Sequence, residues 1–150
     1  MPDWTLPMAG GCRCGKVRFE ITRPPMMTTI CHCTGCQRMT GSAFSTTVIV
    51  PIDGFAVTRG ETVVGGMHGD QGRHQHCDWC KSWIFTEVPP AMGVVNVRAT
   101  MLDDPSWFVP FAETYTSEAL PWALAGSPHP YEKFPPMEDY QKLMGEFAAR

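Results

Sequence analysis

The sequence predicts a mainly β fold, built from short antiparallel strands, stapled by zinc and closed by one C-terminal helix. Three observations carry this expectation. Gly and Pro number 14 each in 150 residues, against a usual combined share of about 12%, so few long helices can form. Several segments alternate polar and apolar residues with the two-residue period of a half-buried strand. Seven Cys fall into three tight groups, Cys12/Cys14, Cys31/Cys33/Cys36 and Cys77/Cys80, with the close spacing of metal-chelating turns.

The elements follow in chain order. Lys16-Val17-Arg18-Phe19-Glu20-Ile21-Thr22 alternates and reads as a strand. Thr28 to Cys31 is expected to be another, leading into the triple-Cys segment, and Thr34 to Met39 a single helical turn. Ala43 to Val50 is β-branched and apolar, and Pro51 ends it. Further strands are expected over 55–58, 62–68, 82–88 and 93–98. Gly65-Gly66 and Gly69 to Gly72 are turn signals, and the polar stretch 69–74 reads as a mobile loop.

From Asp103 on, Pro105, Pro110, Pro121, Pro128, Pro130, Pro135 and Pro136 break the chain into short pieces. Aromatic anchors such as Trp107, Phe111 and Trp122 suit an extended tail wrapped over a sheet edge. Over 136–147, Tyr140, Leu143, Met144 and Phe147 form one apolar helical stripe, a packing face, with Pro136 in the first turn. The length fits a single zinc-binding domain over 1–150, with a motif core at about 10–100 and the tail at about 103–150.

Composition narrows the function. A formal charge of −3 disfavours a nucleic-acid binder, which carries a basic surface. No run approaches the ~18 apolar residues of a membrane span. Met1 to Gly11 lacks the basic and apolar stretches of a secretory signal, so the expected location is cytoplasmic. An odd number of Cys without an export signal is a poor disulfide framework. A redox role for Cys77-Asp78-Trp79-Cys80 would want a βαβ context that the surrounding sequence lacks.

Strand geometry suggests how the Cys divide. Residues i and i+2 point to one face, so Cys12 with Cys14, and Cys31 with Cys33, can each grip one ion. Cys12, Cys14, Cys77 and Cys80 make a closed four-thiolate set, the form of structural zinc. Cys31, Cys33 and Cys36 then leave one coordination position open, the form of catalytic zinc. Two Zn2+ per chain are expected. The alternative closes the second site with His68, His74 or His76, whereas His32 should point away from its Cys neighbours.

Three segments carry a family resemblance: Gly10-Gly11-Cys12-Arg13-Cys14-Gly15-Lys16-Val17-Arg18-Phe19; Cys31-His32-Cys33-Thr34-Gly35-Cys36-Gln37-Arg38 followed by Gly41-Ser42-Ala43-Phe44; and Cys77-Asp78-Trp79-Cys80-Lys81-Ser82. They resemble the glutathione-dependent formaldehyde-activating enzymes, a family that includes centromere protein V. The resemblance implies a fold similar to methionine sulfoxide reductase B. It implies structural zinc at Cys12, Cys14, Cys77 and Cys80, and active-site zinc at Cys31, Cys33 and Cys36. The implied activity is that of a carbon–sulfur lyase, which adds glutathione to formaldehyde to give S-hydroxymethylglutathione or reverses that step. One departure stands out: the family knuckle usually ends in Gly, and here Lys81 takes that place, where positive φ would cost a side chain sterically.

Coordination chemistry points the same way. Three thiolates make a soft site that favours a sulfur ligand, so a small thiol such as glutathione is the expected partner. His32, His74, His76 and Ser42 are candidates to move the proton, and Arg38 to meet a substrate carboxylate. Two other readings remain. One is a non-catalytic zinc-stapled protein-binding module. The other is sulfoxide reduction, which would need one of Cys31, Cys33 or Cys36 to be unmetallated.

Overall fold

A computed structural model describes residues 3–67 and 72–150. Its strands run β1 (Met8–Gly11), β2 (Arg18–Ile21), β3 (Met27–Cys31), then helix α1 (Thr34–Thr40), β4 (Ser45–Pro51), β5 (Phe55–Arg59), β6 (Thr62–Val64), β7 (Arg73–Cys77), β8 (Trp83–Glu87), β9 (Val94–Val97), β10 (Ala112–Thr114) and β11 (His129–Pro130), ending in helix α2 (Met137–Ala148). They form a three-stranded sheet, β1-β2-β5, and an eight-stranded sheet, β11-β10-β3-β4-β9-β8-β7-β6.

The core lies between the two sheets. Phe19 and Ile21 from β2 meet Val48 and Val50 from β4, Val95 and Val97 from β9, and Ile84 and Phe85 from β8. Along β2, β4 and β9 these positions alternate, so the large sheet has a second face. That face carries Thr29 and Cys31 of β3, Thr47 and Ile49 of β4, and Asn96 of β9. Helix α2 lies against β3, with Leu143 packed among Met27 and Phe111 and flanked by Tyr140, Met144 and Phe147. The predicted stripe is therefore a packing face.

The tail does more than cover an edge. β10 pairs with β3 and β11 pairs with β10, both in parallel, so the tail extends the sheet itself. The remaining pairings are antiparallel. Residues 73 and 74, expected in a mobile loop, belong instead to β7, held between β6 and β8. Polar side chains there gave no alternation, yet both neighbours bond the backbone. Residues 69–71 and His68 lie outside the described residues, and the strand expected over 62–68 ends at Val64. Pro136 stands just before α2 as its N-cap rather than inside its first turn. No helix is long and apolar enough to cross a membrane among the described residues.

Lys81 adopts φ 61°, the left-handed conformation that the Cys77–Cys80 turn imposes. Its backbone N–H closes the turn by donating to the Cys77 carbonyl at 3.0 Å. Lys81→Gly is expected to stabilise the fold by about 0.5–1 kcal/mol, the relief of the Cβ clash less the extra unfolded-state freedom of Gly. The lost Lys81–Asp78 ion pair is solvent-exposed and contributes little. A higher urea midpoint at saturating zinc is the expected reading.

Candidate metal centres and the adjoining cavity

The loop after β1 brings Cys12 and Cys14 to the turn between β7 and β8, which carries Cys77 and Cys80. The four sulfurs lie within 4.8 Å of one another. Cys12–Cys14 and Cys14–Cys77 are 3.6 and 3.8 Å apart. Four sulfurs at ~2.3 Å from a tetrahedral zinc would be about 3.8 Å apart, so the spacing fits the ion. It is far beyond the ~2.05 Å of a disulfide.

Hydrogen bonds shape the cluster. The Val17 N–H donates to Cys12 Sγ at 3.3 Å. Burial pushes the Cys80 thiol up, but the Ser82 hydroxyl and the Ser82 and Cys14 backbone outweigh it and bring Cys80 down to about 5. Against a backbone hydrogen bond from Lys16, burial and the neighbouring thiols push Cys14 up to about 11. Thiols this close cannot all ionise without a cation among them.

Cys31, Cys33 and Cys36 form the second cluster, again with sulfurs within 4.8 Å. Cys31 ends β3, and Cys33 caps α1, its sulfur accepting the Cys36 N–H at 3.2 Å. Hydrogen bonds from the Cys31 and Cys36 thiols, then from the Cys36 and Gly35 backbone, hold Cys33 down at about 2. The Cys31 and Cys33 sulfurs push Cys36 strongly up. Among the described residues no His donor joins either cluster, and the second brings together three thiols.

The two clusters differ in surroundings. Cys31 and Cys36 line a cavity of about 410 Å³ on the outer face of the large sheet, and none of the four-Cys set lines it. Its floor holds Ser45, Thr47, Thr86 and Asn96, and α2 roofs one end with Met137, Tyr140 and Met144.

The other sequence candidates separate. His32 points away from the sulfurs, as strand alternation required. It is fully buried on the reverse face, its Nε2 2.7 Å from Glu113 Oε2. His76 sits with Nδ1 3.2 Å from the His74 carbonyl. Ser42 lines a neighbouring cavity. Of the four proton candidates, only His74 lines the cavity with Cys31 and Cys36. Its Nδ1 lies 2.9 Å from Thr86 Oγ1, which accepts the Trp83 indole N–H at 3.0 Å. A hydroxyl has one hydrogen and two lone pairs, so Thr86 can pair with Nδ1 in either tautomer of His74 and holds the ring with Nε2 as its other nitrogen. Arg38 is exposed on α1 and lines none of the three cavities described.

Sequence reasoning missed Glu113, Glu118 and Arg98. Glu113 accepts N–H bonds from Ala125 and Ser127 at 3.0 and 2.8 Å, besides its contact to His32. Glu118 accepts the Thr34 N–H at 2.9 Å. Gln37 Nε2 donates to the carbonyls of His32 and Glu118. The tail thereby grips the loop that carries the three Cys. No local pattern announces those contacts. Arg98 had a signal: it is in phase with Val94 and Asn96, opposite to core Val95 and Val97.

The sequence model of the family described as glutathione-dependent formaldehyde-activating enzyme matches residues 7–118, a span that includes all seven Cys. A crystal structure of a Rhodobacter sphaeroides protein is similar at a TM-score of 0.56 and 20% identity, covering 71% of this chain and 100% of that one. That likeness is one of fold. Among curated proteins nothing matches.

Proposed function

Since the chain belongs to the glutathione-dependent formaldehyde-activating enzyme family, we propose that it is a zinc-dependent carbon–sulfur lyase that joins a small thiol such as glutathione to an aldehyde carbon, or releases it. The observation that carries this reading is the position of the three-Cys cluster. It has one ligand fewer than its neighbour and opens on a cavity. The division of labour follows: Cys12, Cys14, Cys77 and Cys80 hold structural zinc, and Cys31, Cys33 and Cys36 hold zinc at the working site.

A zinc ion held by Cys31, Cys33 and Cys36 would supply a soft Lewis acid that favours a sulfur ligand. The chain's own groups do the rest. In the forward direction the sulfur bonds to the carbonyl carbon and the carbonyl oxygen becomes a hydroxyl, so the proton that leaves sulfur is returned at oxygen. His74 is the residue assigned to that proton: with its Nδ1–H donated to Thr86 Oγ1, the free Nε2 takes the proton from sulfur and returns it to the carbonyl oxygen. The apolar roof of α2 limits water at the reacting sulfur. Arg38, exposed on α1, could meet a substrate group only at the mouth of the site.

Cobalt substitution tests the proposal. Titrating the cobalt protein with glutathione should raise the sulfur-to-cobalt charge-transfer band, and the response should weaken at low pH, where the thiol keeps its proton. Cys36→Ser should remove the response. No change with glutathione, cysteine or other small thiols would overturn the reading and leave a zinc-stapled binding module.

A further inference from the structure

We propose that Arg98 forms an anion-binding subsite in the cavity, which selects substrate thiols that carry a carboxylate. The proposal rests on the thiol chemistry assigned above to the three-Cys cluster.

Arg98 follows β9, with its backbone N–H fixed to the Ile84 carbonyl at 2.9 Å. Its residue surface is only 6% exposed. Among the described residues, no carboxylate lies within ion-pair distance of it. Its Nε has no hydrogen-bond partner. A buried cation in a protein is normally paired, because desolvation without a partner is costly. One contact is present: the guanidinium stacks over the Trp83 ring at 4.2 Å. Stacking occupies a face of the guanidinium and leaves its edge N–H groups for a planar anion. Arg98 and Trp83 together form the wall between this cavity and the next, so the edge borders open space.

Ser45 marks the sulfur end of the cavity. It pairs with Cys31 across β3 and β4, and its hydroxyl draws the Cys36 thiol down against the push of the other two. Extending the β4–β9 register by one residue puts Arg98 beside Thr47, one pleat repeat, about 6.7 Å, along β4 from Ser45. Arg98 therefore lines the same cavity as Cys31 and Cys36, offset from them, where a receptor for a group a few bonds from sulfur has to stand. Burial lowers the Arg98 pKa to about 10, so the group stays cationic at neutral pH.

The alternative role is charge compensation of the thiolates at a distance, since Arg98 is within electrostatic reach of Cys36 and Cys31. The two roles separate by ligand. Cobalt-loaded full-length protein would be titrated with 3-mercaptopropionate and with its neutral isostere 3-mercaptopropionamide. Wild type should favour the carboxylate by about tenfold or more, because the amide offers one neutral carbonyl where the carboxylate offers a charged, bidentate partner. Arg98→Met should abolish the preference while binding the amide within about twofold of wild type. Arg98→Lys should keep part of it, and Arg98→Gln should lose it. Metal content and urea midpoints check that each variant is folded. If Arg98→Met does not fold, Arg98→Lys and Arg98→Gln carry the test. Equal affinities in wild type, or a preference untouched by the substitutions, would overturn the proposal.

Propionate alone supplies a readout without sulfur. It should shift the Trp83 indole N–H resonance in wild type and not in the Arg98 variants. A propionate shift with no response to either thiol would uphold the subsite and overturn the thiol reading. Thiol binding with no propionate shift and no carboxylate preference would do the reverse.

Discussion

Replacing Cys77 with serine is expected to remove nearly all soluble folded protein, whereas Cys36→Ser should leave a folded chain that has lost one metal ion of two. The asymmetry follows from what each cluster ties together. Cys77 is 1% exposed at the end of β7, and its cluster joins residues 12 and 14 to residues 77 and 80. That union fastens the three-stranded sheet to the far end of the eight-stranded one. Zinc binding by four thiolates contributes on the order of 10–16 kcal/mol in small zinc peptides. The whole stability of a domain is typically about 5–15 kcal/mol. Cys31, Cys33 and Cys36 are neighbours in sequence, and β3 and α1 are already held by β4 and the tail. Metal loss there unties no distant segments. Elemental analysis should give two zinc ions per chain in wild type and one in Cys36→Ser, with urea midpoints close together. Equal loss of soluble protein in both variants would contradict this division.

The parts of the molecule legible in the sequence were those set by local spacing. The alternation from Lys16 to Thr22 gave β2, and the i, i+2 rule placed Cys31 and Cys33 together with His32 turned away. The Gly-to-Lys departure at Lys81 marked a backbone of positive φ. What stayed hidden depends on partners remote in sequence. β10 and β11 are three and two residues long, too short to show a period, and exist because β3 offers an edge. β7 is polar throughout most of its length, so nothing in it resembles a strand until β6 and β8 are placed beside it. Arg98 ends the alternating run of β9, and the run itself put the charge on the cavity face. The strand expected over 93–98 already contained Arg98, and its phase places that residue on the cavity face with Val94 and Asn96.

Glu113→Ala is expected to be the most damaging substitution outside the cysteines, costing about 3–5 kcal/mol, the usual penalty for removing one partner of a buried charged pair. Glu113 is 1% exposed and accepts three hydrogen bonds, from His32, Ala125 and Ser127. Its removal strands all three donors and removes one of the ties between the tail and the three-Cys loop, the bond to His32. Metal affinity at Cys31, Cys33 and Cys36 should fall about tenfold, in the manner of lost supporting hydrogen bonds around metal ligands, while the four-Cys site keeps its ion. Glu113→Gln retains the shape and should cost less. The two variants also differ from wild type in their response to acid. Burial pushes the Glu113 carboxyl up, but the Ser127 and Ala125 N–H groups and His32 outweigh it and hold it at about 2, below the ordinary 4.5. A carboxylate whose pKa is depressed in the folded state contributes its full stability above 4.5 and loses it as pH falls toward 2. The fold needs its four-Cys zinc, which acid releases, so the comparison of wild type with Glu113→Gln is made above 4.5 with zinc in excess. There the charge contributes in full, and the gap in urea midpoints should be constant from about pH 8 to about pH 5. A gap that shrinks across that range would show that the Glu113 carboxylate is not held ionised by its three donors.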